Sequence, residues 1–312
     1  MLTWPTLPLC CTRLMPTDSR PTGTRPIVLV GPRGLLGSAF TRYIPLCDRI
    51  DLGREVLDPG TPAAIRARIV ALKPCLVINC AADTDVEGAE SAPEWAFAVN
   101  ARLARALAEG AAATSAAMVH FSSTGCYGDW KDQPYNEQDP LRPTTAQHRS
   151  KAAGEVAVLQ AHPQALVLRL GWLFGGVPGQ RKNFVWARLV EAHQRAEIGS
   201  NPSQYGNPTD ADGVARLTLE LVAAEIHGIL NCVGEGGPAS RLDYVAAILA
   251  AAGSATRVVP VRFARRAPVS PNESAVNARL TTLGLNTLPP WRDALATYVH
   301  ALVAQQQQIV SP

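Results

Sequence analysis

A short apolar run, Pro26-Ile-Val-Leu-Val30, is followed at once by Gly31-Pro-Arg-Gly34-Leu-Leu-Gly37, and a helical pattern opens at Leu35. Strand, glycine turn and helix in immediate succession constrain this chain more than any other feature. Small residues permit the tight turn, let a backbone approach a diphosphate, and allow the helix to pack closely on the strand. The helix N-terminus then presents amide groups to the anion. Glycines alone would say little, because turns attract them. At the head of a strand–helix series they predict dinucleotide binding through Gly31, Gly34, Leu35 and Gly37.

The series continues. Residues 48–52, 75–79, 117–121 and 165–170 read as further strands, and 62–72, 91–113 and 145–160 as helices. Pro62 sits where a first helical turn tolerates proline. Continuous apolar strands separated by helices imply a parallel sheet covered on both faces, a Rossmann-type doubly wound α/β fold. Beyond Gly171 the pattern loosens. Helices are expected at 182–196, 210–225, 241–252 and 291–304, and strands at 228–233 and 257–262. The stretches 173–181, 199–209 and 263–290 are rich in Gly, Pro, Asn and Arg and suit a small lobe closing over one sheet edge. The expected division is therefore a disordered extension over 1–24, with Met15 a candidate start, and a dinucleotide-binding domain over 25–172. A mainly substrate-binding lobe follows over 173–304, with some elements returning to the first domain, and then a loose tail over 305–312.

Composition excludes several classes. At 312 residues the chain can bury roughly 75% of its unfolded surface without disulfides. Its 29 basic and 26 acidic residues nearly cancel, so no electrostatic footprint for nucleic acid appears. No apolar run approaches the ~18–20 residues of a membrane span. The seven cysteines form no Cys-x-x-Cys pair and no zinc spacing. No metal site is expected, and a reducing, cytoplasmic setting is.

Charge bears on which dinucleotide is bound. Asp51 could receive a ribose 2′-hydroxyl, as in an NAD site. Arg33 in the turn and Arg54 just past the second strand instead offer two guanidiniums to a 2′-phosphate, which favours NADPH over NADH. The alternative, that both arginines are merely solvated, stays open.

The blocks VGPRGLLG, LDPGTPAAI, KPCLVINCAADTDVEGAES, VNARLARALA and VHFSSTGCYGD resemble those of an extended short-chain dehydrogenase/reductase. Later segments agree: LRLGWLFG, RKNFV, YGNPTDADGVA, GILNCVGEG and LTTLGLNTLPPWRDAL. Over residues 26–304 the chain is most similar to the dTDP-4-dehydrorhamnose reductase (RmlD-like, sugar-nucleotide-binding) family. The resemblance implies that Ala81, Ala82 and Asp83 line the cofactor and that Asp58 lies near the adenine. It implies that Ser123 hydrogen-bonds the substrate carbonyl and Lys151 holds the nicotinamide ribose. Trp172 and Asn183 would face the sugar nucleotide.

The family also uses Tyr-x-x-x-Lys, a phenol one helical turn before the lysine, as proton donor. Here the run is PTTAQHRSKAAGE, with Gln147 in the phenol's place. An amide can orient a carbonyl but has no useful acid pKa. His148 is adjacent, yet successive helical residues diverge by about 100°, so Tyr127 and Tyr135 are the expected substitute acids. A second departure is Ser270-Pro-Asn-Glu-Ser274-Ala-Val276 where the family carries Arg-Pro-x-x-Ser-x-Leu. Arg262, Arg265 and Arg266 just upstream could meet a diphosphate instead, or form a solvated face. Three functions stay open: a reductase of a 4-keto-6-deoxy sugar nucleotide, slow or with another acid; an epimerase- or dehydratase-like step; and an NADP-binding regulatory subunit without turnover. The last resembles the role of the methionine adenosyltransferase β subunit. A homodimer or a partner enzyme is compatible with each.

Overall fold

The computed structural model describes residues 25–54 and 58–310, with side chains through 305. The extension expected over 1–24 lies outside the described residues. In the N-terminal half the apolar runs form β1 (Ile27–Val30), β2 (Arg49–Leu52), β3 (Leu76–Asn79), β4 (Ala117–Ser123) and β5 (Leu166–Leu170). They alternate with α1 (Leu35–Tyr43), α2 (Pro62–Leu72), α3 (Val86–Ser91), α4 (Pro93–Phe97), α5 (Ala104–Ala113) and α6 (Ala146–Ala161). The single helix expected over 91–113 is broken. Pro93 restarts it, and Ala98–Leu103 forms a π-helical turn between α4 and α5.

The C-terminal half adds β6 (Trp172–Phe174), β7 (Glu197–Ser200), β8 (Tyr205–Gly206), β9 (Pro208–Asp210), β10 (Gly228–Cys232), β11 (Ala239–Ser240) and β12 (Arg257–Pro260). Its helices are α7 (Phe184–Ala192), α8 (Ala211–Ala223), α9 (Arg241–Ala251), α10 (Ala278–Thr282) and α11 (Trp291–Val310). The helical backbone of α11 runs on past Val303, through the glutamines where a loose tail was expected. Glutamine is a good helix former, so a helix already nucleated at Trp291 propagates through the run.

Six strands make one parallel sheet in the order β2-β1-β3-β4-β5-β10. The chain steps outward from β1 to β2, then crosses back to β3. That reversal opens a crevice beyond the carboxyl ends of β1 and β3, where ligands of such sheets bind. Alternate strand residues enter two cores. Ile27, Leu29, Ile78, Val119 and Leu168 pack with residues of α1 and α8, whereas Val28, Val30, Val77, Met118 and Val167 pack with residues of α2 and α5. This two-sided burial is why the strands read as continuous apolar runs. A third core, around Trp172, Phe174, Tyr244, Ile248, Trp291 and Val299, holds the lobe together.

The second face changes character toward the strand ends. Asn79, His120, Arg169 and Asn231 lie there, all buried. Asn79 and His120 are paired across β3 and β4, Nδ2 to Nδ1, at 3.1 Å. Arg169 donates to Glu155 of α6 from Nε (3.0 Å) and Nη2 (2.7 Å), both residues being at most 3% exposed. Removing one partner of such a pair strands the other charge. Glu155→Ala should therefore lower unfolding free energy by about 3–5 kcal/mol in urea titration, whereas an unchanged midpoint would show that Arg169 finds other compensation.

Candidate active site

The glycine turn owes its shape to two contacts that no side chain would survive. Gly31 has φ +75°, and a Cβ on it would lie 3.0 Å from the Ala81 amide nitrogen of the neighbouring strand end. At Gly37 a Cβ would overlap the Gly31 carbonyl oxygen. Gly34 is the N-cap of α1 and supplies no side-chain acceptor, and the first turn carries no carboxylate. The opening amides of α1 are thus left to an anion at the β1–β3 crevice. Arg33 and Arg54 are both exposed. Asp51 accepts a hydrogen bond from Arg49 Nε at 2.9 Å, so its carboxylate already has a cation. Asp58 shapes the turn ahead of α2: its carboxylate accepts from the Gly60 amide (2.8 Å) and its carbonyl from the Thr61 amide (3.0 Å).

Across the crevice, the segment after β3 is clamped from two helices. The Ala81 amide donates to Asn79 Oδ1 (3.1 Å). Asn100, fully buried on the π-helical turn, accepts from the Asp83 amide (2.8 Å) and donates to the Asp83 carbonyl (3.0 Å) and Ser150 Oγ (2.8 Å). Gln147 Nε2 donates to the same Asp83 carbonyl (3.2 Å), leaving Gln147 Oε1 buried without a hydrogen-bond partner. Lys151, one turn further along α6, donates to the Phe121 carbonyl at 2.8 Å, and burial pulls its ammonium down to about 8. Ser123 ends β4, and its Oγ accepts from the Gly125 amide (3.2 Å) within the 3₁₀ turn Thr124–Tyr127. Ser123, Gln147, Lys151 and Asp83 are therefore brought to one end of the sheet. Asn100 escaped the sequence reading. Its signal was an asparagine inside an otherwise apolar, alanine-rich helical run.

The two tyrosines expected as substitute acids are committed elsewhere, which corrects that expectation. Tyr127, with no exposed surface, donates to Asn231 Oδ1 (2.8 Å) and accepts from Arg169 Nη1 (3.0 Å); burial pushes its phenol up to about 12. Tyr135 stacks on it with ring centroids 4.8 Å apart, and its hydroxyl donates to the Gly128 carbonyl. Neither hydroxyl can hand a proton to a ligand without breaking this buried network. His148 does diverge from Gln147 as helical geometry requires, but toward the lobe. Its ring lies against Gly125, where a Cβ would overlap it, and its Nε2 is 4.0 Å from Glu273 Oε1.

Trp172 faces the same boundary: its indole N–H donates to Glu273 Oε2 (2.8 Å), and the Arg241 guanidinium sits 3.5 Å from the ring centroid. Asn183 is the N-cap of α7, accepting from the Trp186 amide (3.1 Å) and donating to Tyr298 (2.7 Å), so its side chain is engaged in structure. Arg265 donates to Glu87 of α3 (2.7 Å), Arg266 to Ser91, and Arg262 to Ser203 (3.1 Å). The first two tie the lobe to the sheet domain. Ser270 donates to the Gly128 carbonyl (2.6 Å).

These features define a Rossmann-type α/β protein with a lobe over the carboxyl ends of its strands. The family model described as the RmlD substrate binding domain matches residues 25–304, and the chain belongs to that family. It is 36% identical to the dTDP-4-dehydrorhamnose reductase of Mycobacterium tuberculosis (strain CDC 1551 / Oshkosh), over 88% of this chain and 92% of that one. Among solved structures, a dTDP-4-dehydrorhamnose reductase from Clostridium acetobutylicum matches with TM-score 0.84 and 26% identity, covering 88% of this chain and 99% of that one. One from Bacillus anthracis in complex with NADP matches with TM-score 0.83 and 23% identity, covering 89% and 99%. Among the described residues no cluster of His, Cys, Asp or Glu could hold a metal ion, and no helix is long and apolar enough to cross a membrane.

Because Asn100 holds the Asp83 amide, Asn100→Ala should cost about 1–3 kcal/mol and speed amide exchange at Asp83 and its neighbours. Exchange unchanged at these amides would show that Asn100 is not what fixes the segment.

Proposed function

We propose that this protein is an NADPH-dependent reductase of a 4-keto-6-deoxy sugar nucleotide, of which dTDP-4-dehydrorhamnose is the model. The carrying observation is the joint presence of the uncapped α1 terminus at the β1–β3 crevice and of Ser123 and Lys151 at its mouth. This is the arrangement of a chain 36% identical to a named dTDP-4-dehydrorhamnose reductase. The enzyme class is an NADP-dependent oxidoreductase. A structural neighbour of the same fold holds NADP.

The residues present fit the coenzyme. A Cβ at Gly31 or Gly37 would collide with the backbone that shapes the turn, and the α1 amides lack a side-chain cap. Gly31, Arg33, Gly34, Leu35 and Gly37 would hold the diphosphate and, with Arg54, a 2′-phosphate. Ala81, Ala82 and Asp83 would line the nicotinamide side, and Asp58 the adenine side. Bound there, the coenzyme supplies a hydride to a ketone. Lys151 would turn from the Phe121 carbonyl to the ribose hydroxyls. Ser123 Oγ would donate to the carbonyl oxygen and polarise it, while Trp172 and Glu273 would bound the sugar. Gln147 keeps the Asp83 segment against α6 and contributes no acid.

That last point favours a second reading, an NADP-binding regulatory subunit acting on a partner enzyme or as a homodimer, with a reducing cytoplasmic setting common to both. Purified protein with NADPH and a dTDP-4-keto-6-deoxy sugar should oxidise the coenzyme in proportion to ketone, followed at the nicotinamide absorbance. Coenzyme bound but never oxidised would support the regulatory reading instead. Replacing Arg33 and Arg54 by alanine should lower the preference for NADPH over NADH by about 10-fold or more, the worth of charge-assisted hydrogen bonds. An unchanged preference would place the 2′-phosphate elsewhere.

A further inference from the structure

Ketone reduction needs a proton as well as a hydride, and the Lys151 ammonium is already held by the Phe121 carbonyl. Gln147 has none to give, and the hydroxyls of Tyr127 and Tyr135 are bound within the buried network described above. His148 is buried like the two tyrosines but differs from them in two respects: its Nδ1 has no hydrogen-bond partner, and its Nε2 faces a carboxylate that is itself buried. Buried polar atoms are seldom left unpaired without a reason. The ring rests on Gly125, the same residue whose amide is bound by Ser123 Oγ, so the imidazole and the serine hydroxyl both adjoin this glycine. Thr145 caps α6 through the His148 amide, which fixes the backbone from which the ring projects. Across the boundary, Glu273 is anchored by the Trp172 indole N–H and lies near Arg241.

We infer that His148, oriented by Glu273, protonates the substrate carbonyl oxygen, replacing the phenol absent from position 147. The inference rests on the reductase reading above. In the step, the carbonyl carbon receives a hydride from the dihydronicotinamide, which leaves as the oxidised pyridinium. The carbonyl oxygen receives a proton from the imidazolium. One C–H and one O–H bond form, one C–H and one N–H bond break, and neutral imidazole remains to be reprotonated from solvent. Glu273 acts as a positioning residue: it faces Nε2 and favours the charged ring, leaving Nδ1 to meet the ligand.

The groups acting on the ring are burial and the cations Lys151 of α6 and Arg265 of the lobe, which lower its pKa, against Glu273, which raises it. The net direction is downward. Reduction should therefore slow as pH rises through a value below that of ordinary imidazole. A phenolic acid would place that limb well to the alkaline side.

The test uses His148→Gln, His148→Ala and Glu273→Gln in the full chain. His148→Gln should lower kcat about 10²–10⁴-fold, the usual loss of a general acid, with calorimetric NADPH affinity unchanged. Imidazole added to His148→Ala should restore part of the rate. The pH limb should vanish in His148→Gln and move to lower pH in Glu273→Gln. Independently of turnover, the His148 imidazole proton resonance of the coenzyme-free protein should titrate below ordinary imidazole, and lower still in Glu273→Gln. Turnover by His148→Gln at the wild-type rate, or a resonance indifferent to Glu273→Gln, overturns the assignment alone. Wild-type protein that binds NADPH and never oxidises it with the ketone overturns the reductase reading and this inference together.

Discussion

The contact of α1 on its own glycine turn is the constraint on which the site depends. Gly37 lies so close to the Gly31 carbonyl that even a methyl group would not fit, and Gly31 in turn backs onto Ala81 at the end of β3. The end of β1 and the start of α1 are thereby held at one point with the end of β3, which is distant in sequence. The reversal of strand order at β1 and β3 opens the crevice, and the glycines let the turn close up beside it. This side of the site is in this sense built from backbone.

The opposite side is built from side chains. The face of the sheet that packs on α2 and α5 is apolar through Val77, Met118 and Val167. It turns polar at Asn79, His120, Arg169 and Asn231, close to the strand ends. That polar end absorbs Tyr127 and Glu155 into a network with Arg169 and Asn231. The first turn of α6 then sends two neighbouring residues in different directions. Gln147 fastens the Asp83 segment, and His148 meets the lobe at Glu273. Gln147 thus holds a loop, and the next residue stands at the boundary between the sheet and the lobe.

Much of the fold was legible in the sequence because parallel strands buried on both faces leave continuous apolar runs. Pro62–Leu72 forms the helix expected for it, and the sheet strands lie within a residue or two of their expected spans. The lobe was harder to read. Strands of two to four residues, such as β8, β11 and β6, are too short to show a period of two, and their pairing depends on contacts distant in sequence. The glycine turn could be read as a site because its requirements are local. Tyr127 and Asn183 could not be placed from sequence. Their partners, Asn231 and Tyr298, lie more than a hundred residues away, and only the folded chain shows that those side chains are already engaged. His148 diverges from Gln147 as the helical angle requires, but the group it meets on the far side, Glu273, lies too distant in sequence to be read from it.

The claim beneath this account is that a pyridine dinucleotide diphosphate seats on the opening amides of α1. Titration calorimetry of NADPH into the wild-type chain and into Gly37→Ala tests it most directly. The wild type should show saturable binding at a single class of site. The variant should bind at least tenfold more weakly, as one misplaced hydrogen-bonded phosphate would cause. Absence of any saturable binding by the wild type, or equal affinity in the two proteins, would contradict it.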